Sequence, residues 1–343
     1  MKKYLSLLML AIVMMCSSCT KQEVYEVETL KTITIYINSQ TLDTVAHSAK
    51  TRSALITDPK SVENTVNSLT IAIFKSDGTI KTIKEFSAPG NSVTMRVANL
   101  TTTDKVICVA NAKPNTFTSV KTLDEFNNKE VSLDDALTIN TVDIVANNLI
   151  MYGTGPITGP TTGSVDAYTA NVDMYHLNSK VSINALTLSI PSNATFTLKE
   201  VYMINVPASF KFSYDNPFVA NSYEHGSLYY SIPNQTQRLY LGYSNNTVNK
   251  LFFYCSPNNS VKYTRIVICG SYDIDGYGPI QPKDTYYPII VDKNMLSNKN
   301  YGMNITIEGI GVDSPTDELN YSNLTVTMNI NSFDTISKDV VFD

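Results

Sequence analysis

The sequence predicts an all-β protein of two tandem β-sandwich domains with few short helices. Three observations predict it: apolar residues recur on alternate positions through most of the chain, turn-forming residues interrupt these runs at short intervals, and a Gly- and Pro-rich stretch divides the chain near its middle. Residues 30–37 carry Ile33, Ile35 and Ile37 on alternate positions, among threonines and a tyrosine that also favour strands, with no second strand pattern beside them. Residues 38–63 hold Ser, Thr, Asp and Pro59 without a sustained period and read as an exposed linker of the kind proteases reach. Residues 69–74 form the next strand, Lys75-Ser76-Asp77-Gly78 a hairpin turn built on Asp-Gly, and residues 79–86 the return; 93–97 and 105–110 continue the series. Between 122 and 137, Leu123, Phe126, Leu133 and Leu137 recur at irregular helical spacing and predict a helical crossover. The run Gly153 to Pro160 reads as linker, because Gly and Pro disfavour both helix and ladder, so a domain boundary is expected near residue 164. Beyond it, residues 172–190, 198–205, 239–241, 251–255, 263–269, 286–291, 301–308 and 324–330 read as strands.

The first residues set a compartment. Met1-Lys2-Lys3, an apolar run over 4–15, small residues around Cys16-Ser17-Ser18-Cys19 and a polar turn at Thr20 make a signal peptide. The apolar run falls short of the roughly 20 residues that span a bilayer, so anchoring must come from elsewhere. Small residues before a cysteine resemble the lipobox of bacterial lipoproteins, with Cys19 as the thiol that takes the lipid. A Cys-x-x-Cys redox or zinc pair is the bland alternative, and neither chemistry would survive removal of the signal. The other cysteines, Cys108, Cys255 and Cys269, are spread and odd in number and lie in apolar runs; buried free thiols suit them, and a Cys255–Cys269 bridge is the alternative.

Composition, with 43% hydrophobic and 17% charged residues, supplies one or two sizeable cores. Net charge is −5, and removing residues 1–52 leaves −7, so no basic surface for nucleic acid is expected. No cofactor or metal is expected either. Asp273-Ile274-Asp275-Gly276-Tyr277-Gly278 lacks the closing Glu of a calcium loop and reads as a turn. Gly153 to Gly159 is interrupted by proline and lacks the Lys-Ser/Thr of a phosphate cradle. Downstream of residue 52 only His176 and His225 remain, with no nucleophile-elbow pattern near a Ser, so an enzyme is not expected. Tyr223, Tyr229, Tyr230, Tyr240 and Tyr243 could stack on sugars but more often pack strands, and the chain has no Trp.

Four patterns together resemble the fimbrillin family of Bacteroidetes, the subunits of type V pili. They are the lipobox at Cys19 followed by a lone strand and Thr51-Arg52-Ser53; residues 66–74 running into Asp77-Gly78; Val106-Ile107-Cys108-Val109-Ala110-Asn111-Ala112; and the tail with Tyr286-Tyr287-Pro288-Ile289, residues 300–305, residues 309–315 and a last strand. The chain departs from the family pattern at Phe333, where a tryptophan is expected, and at His176-Leu177-Asn178, where an arginine is usual.

The resemblance implies transthyretin-like sandwiches and a structural pilus subunit serving adhesion. It implies a signal peptide over 1–18, a propeptide over 19–52, an N-terminal domain over 53–164 and a C-terminal domain over 165–343. An arginine-specific protease would cut between Arg52 and Ser53, with Lys50 as a second basic site, and release the leading strand with Ile33, Ile35 and Ile37. The vacated edge would take a terminal donor strand from another copy, whose Leu324, Val326, Met328 and Ile330 alternate with polar residues as a half-buried strand does. Implied partners are further copies or related pilus subunits, the outer membrane through lipid on the precursor, the protease, and a host protein or glycan receptor. The alternatives are a lipid-anchored binding lipoprotein that keeps its N-terminus, and an anchor or tip subunit of the same pilus.

Overall fold

The structure is a computed structural model and describes residues 28–39, 63–133, 139–140, 145–146, 149–213, 228–229, 251–276, 278, 280–319, 321–332 and 339–340. In chain order these form β1 (Leu30–Ser39), β2 (Ser68–Phe74), β3 (Ile80–Ser87), β4 (Ser92–Ala98), β5 (Lys105–Ala110), helix α1 (Leu123–Asn127), β6 (Glu130–Ser132), β7 (Ile139–Asn140), β8 (Val145–Ala146), β9 (Met151–Thr158) and β10 (Ala167–His176). There follow β11 (Ser179–Leu188), β12 (Thr195–Ile204), β13 (Ser209–Lys211), β14 (Leu228–Tyr229), β15 (Leu251–Cys255), β16 (Arg265–Asp273), β17 (Lys283–Ile290), β18 (Lys299–Ile307), a short 3-10 turn (Tyr321–Asn323), β19 (Leu324–Ser332) and β20 (Asp339–Val340). The all-β class expected from the alternation is the class observed.

The first unit is one sheet in the order β3-β2-β5-β9-β10-β1-β4 among the described residues. Alternation puts one face of every strand inward: Ile33, Ile35 and Ile37 of β1, Leu69, Ile71 and Ile73 of β2, Val93, Met95 and Val97 of β4, and Ala170, Val172 and Met174 of β10 form a single core. The sheet curls so that its edge strands β3 and β4 approach each other. Lys81 of β3 ties that closure, donating to the Asn99 carbonyl at 2.7 Å and to Asp104 at 2.5 Å.

The second unit pairs two sheets, β15-β11-β18-β19-β20 and β14-β12-β16-β17. Val181 and Ile183 of β11, Tyr301, Met303, Ile305 and Ile307 of β18, and Leu198, Met203, Ile266, Ile268 and Ile289 opposite them fill the space between. This core is continuous with the outer face of β2 and β5, where Phe74, Phe126, Phe117 and Phe212 pack in series with ring centroids 5.6, 4.1 and 4.8 Å apart, the middle pair stacked and the outer two edge-to-face.

Three expectations change. The Gly153 to Pro160 run is not linker: residues 151–158 are strand β9, laddered to β5 from Ala110↔Met151 to Lys105↔Pro156. Its glycines serve close approach, since a Cβ at Gly153 would stand 2.3 Å from the Asp173 carbonyl and one at Gly155 2.2 Å from that of Asn171. Residue 164, the expected boundary, therefore lies between two strands of one sheet, and the chain leaves that sheet between His176 and Ser179, inside what alternation alone read as one strand. Within the helical interval expected over 122–137, residues 123–127 form the short α1, with Thr122 capping the Glu125 amide at 3.2 Å, and residues 130–132 are strand because β13 offers them a ladder; residues 134–137 lie outside the described residues.

Candidate functional site

Apolar alternation gives β1 one buried face, and its neighbours supply both edges. It runs parallel to β10 from Thr32↔Ala167 to Ser39↔Met174 and antiparallel to β4 from Leu30↔Ala98 to Tyr36↔Ser92. Ile33 and Ile35 are fully buried and Ile37 is 6% exposed. On the outer face Thr34 and Thr94 share a hydrogen bond of 3.0 Å, and the Asn38 amide donates to Asp173 at 3.1 Å. At the outer end the Lys31 ammonium donates to the Leu100 carbonyl at 2.8 Å and to the Tyr168 hydroxyl at 3.1 Å. Among the described residues β4 has β1 as its only ladder neighbour. The strand that looked partnerless in sequence thus fills a slot whose walls lie more than fifty residues downstream.

The terminal strand β19 pairs with β18 along its whole length, from Ile307↔Leu324 to Lys299↔Ser332, and among the described residues meets β20 at Met328 and Asn329. Leu324 and Met328 are buried, while Val326 and Ile330 pack partly buried against the core of the second unit. The four expected donor residues therefore share one face and lie in their own chain's sheet, apart from the slot. Leu324 is at the end of β19 far from the junction between the units, because Lys299 at the other end follows Asn298, which bonds to Asn178 and His176.

At that junction sits a buried polar cluster that sequence reasoning missed. Lys180 donates to Glu63 at 2.7 Å, with their side chains 5% and 2% exposed, and the Tyr254 hydroxyl donates to the same carboxylate oxygen. His176 Nε2 bonds to Asn64 at 2.9 Å. Burial, with the Lys180 charge adding to it, pushes the His176 imidazole down to about 3, so it is neutral and structural. The signal that could have found this site is a lysine set in a buried strand, Ser179-Lys180-Val181, since such a lysine needs a partner.

Cys108, Cys255 and Cys269 are buried free thiols, with burial pushing Cys108 up to about 12 and Cys269 up to about 11. The Cys255–Cys269 bridge held open above is absent; the two cysteines lie on different sheets. Asp273 accepts the Asp275 amide at 3.2 Å and Gly276 is left-handed, a local turn. Among the described residues no three His, Cys, Asp or Glu side chains are grouped to hold a metal ion. Cys19, Lys50, Arg52, Ser53 and Phe333 lie outside the described residues.

Residues 32–207 match the profile of a family described as Major fimbrial subunit protein (FimA). No curated protein sequence matches the chain. Among solved structures, a fimbrilin of Porphyromonas gingivalis W83 superposes with a TM-score of 0.61 at 16% identity, over 90% of this chain and 98% of that one. A candidate cell adhesion protein of Parabacteroides distasonis ATCC 8503 gives 0.60 at 15% identity over 90% and 100%. A fimbrial assembly protein of the same organism gives 0.50 at 15% identity over 92% and 99%. At these identities the likeness is one of fold.

Proposed function

The chain belongs to the major fimbrial subunit (FimA) family, and from that premise we propose that it is exported as a lipoprotein through Cys19, cut after Arg52, and polymerised by giving its terminal strand to the slot that β1 vacates in the next copy. The family is one of structural fimbrial subunits, so the chain is a pilus component of the cell-surface fimbria and its partners are pilus subunits. The outer-membrane tether, the protease and a host receptor belong to the proposal.

The observation that carries the reading is the position of β1. It comes from upstream of the proposed cut, yet it is paired on both edges and buries three isoleucines in the first core. Its loss would leave β10 and β4 with unpaired main-chain groups on either side of three apolar pockets, a template for another strand. Three such side chains contribute about 4.5–9 kcal/mol at about 1.5–3 each, so a cut alone would not empty the slot quickly; an incoming strand must compete. A donor and an acceptor on different parts of one subunit give a head-to-tail contact that does not close on itself, which produces a filament.

A second reading is favoured by the docked state of β19: a chain that stays uncut and keeps its tail in its own sheet would serve as an anchor or a lipid-anchored binding protein. The N-terminus of the protein recovered from the cell surface separates the two. Ser53 supports the cut subunit, and acylated Cys19 as the sole form sinks it. As a further check, chains lacking residues 324–343 should not polymerise after the cut; polymers from them would overturn the donor role.

A further inference from the structure

Resting on the strand-donation reading, we infer that the terminal strand is a register-matched copy of the leading strand, so that residues 325–332 of a second copy of this chain take positions 32–39 one for one. Set side by side, Thr32-Ile33-Thr34-Ile35-Tyr36-Ile37-Asn38-Ser39 and Thr325-Val326-Thr327-Met328-Asn329-Ile330-Asn331-Ser332 agree at Thr, Thr, Ile, Asn and Ser, five of eight positions. The three inward positions are aliphatic in both: Val326, Met328 and Ile330 fall on Ile33, Ile35 and Ile37. On the outer face Thr327 falls on Thr34, which bonds to Thr94, and Asn331 falls on Asn38, which bonds to Asp173.

Internal duplication does not account for the match. The strand that stands in the second unit where β1 stands in the first is β11: each is parallel to one neighbour, β10 or β18, and antiparallel to another, β4 or β15. By the same comparison β19, antiparallel to β18 on its other side, holds the place of β9. The likeness of β19 to β1 crosses these positions, so it follows the shared slot and not shared descent of the two units.

Polarity agrees. A strand replacing β1 keeps its direction, entering at the Leu30 end, the end of the first unit away from His176, and running toward the junction. Position 323, the donor's attachment, would then stand where Leu30 stands, and Leu324 leaves its own body at the end of the second unit away from the junction. Outer end therefore meets outer end with almost no spacer, and one-residue slips are excluded because they would turn Val326, Met328 and Ile330 outward.

The test uses the precursor chain cut with an arginine-specific protease. Thr94→Cys is combined in turn with Thr325→Cys, Thr327→Cys and Asn329→Cys, assembled under mild oxidant and run on non-reducing denaturing gels, with uncut Thr34→Cys/Thr94→Cys closing within one molecule as the geometric standard. The expected result is a ladder of linked copies with Thr327→Cys and about tenfold less with the other two, which sit two residues off the facing position. A ladder strongest with Thr325→Cys or Asn329→Cys overturns the register and leaves strand donation standing. Polymers that link at none of the three, or no polymers at all, overturn donation by β19 itself. Independently of oxidation, Asp173→Lys should slow polymer growth and Asn331→Asp, but not Asn329→Asp, should restore it; equal rescue by both would overturn the one-for-one match.

Discussion

Ile35→Ala offers a differential that few substitutions provide, because the residue belongs to the uncut chain alone in the proposed scheme. Ile35 is fully buried between β10 and β4 in the first core. Truncating such a side chain costs about 2–5 kcal/mol. That loss should appear in full as a lowered denaturation midpoint of the uncut variant. Since every 1.4 kcal/mol is a factor of ten, β1 should also leave the slot about 30- to 4,000-fold more readily, and polymer growth after the cut, followed by light scattering, should accelerate. Once polymerised, variant and parent should be indistinguishable, because residue 35 is no longer in the fibre. Equal stability of the uncut proteins, or a stability gap that persists in washed polymers, would refute the reasoning.

At the junction, Lys180→Met should destabilise the chain by about 3–5 kcal/mol by stranding the buried Glu63 carboxylate, with Glu63→Gln/Lys180→Met losing clearly less than the sum of the single changes; denaturant titration of all four proteins reads this, and a loss under about 1 kcal/mol for Lys180→Met would show the pair to be wet. His176 should make stability fall with acid: its folded value is about 3 against roughly 6.5 in the unfolded chain, so the unfolded state takes up the proton first. Its contribution is intact above pH about 6.5 and is lost progressively down to about 3, at no more than about 1.4 kcal/mol per pH unit; His176→Asn should flatten the profile in that window, and an unchanged slope would count against it. Gly155→Ala should cost about 1–3 kcal/mol or more, because the added methyl meets the Asn171 carbonyl at 2.2 Å; a neutral result in thermal melts would mean that β9 and β10 stand further apart.

How much of this was legible in the sequence depends on whether the information is local. Strands such as β2, β15 and β19 followed from alternation and turn residues, because period two is written in each segment. The Gly153 to Pro160 strand was not legible: what makes glycine suitable there is the Asn171 and Asp173 carbonyls beside it, a fact about a neighbour chosen by the fold. The break at Leu177-Asn178 was hidden for the same reason, since both sides are apolar and only the choice of sheet separates them. Of the site, the alternation of Ile33, Ile35 and Ile37 was readable, but not that their strand is flanked by β10 and β4. Glu63 looked like the last residue of a linker and is instead the buried partner of Lys180, 117 positions away.

In the proposed scheme the arrangement also gives the cut a thermodynamic role. Inside the slot a strand gains ladder bonds on both edges; in its own sheet β19 has, among the described residues, one full edge and two residues of the other. That difference favours transfer into an empty slot, but the slot is not empty while β1 is tethered to the rest of the chain. A tethered strand competes as part of the same molecule, at an effective concentration that does not depend on the concentration of free subunits. Cutting within the linker alters no side chain in the slot; it turns β1 into a dissociable peptide that dilutes away on leaving, while the donor strand remains attached to a whole subunit. Because β4 has no other ladder neighbour among the described residues, the vacated slot is also the state in which that strand is held least, so refilling restores the first unit as well as joining the second. On that scheme growth requires the cut even though no contact made by the incoming strand depends on it.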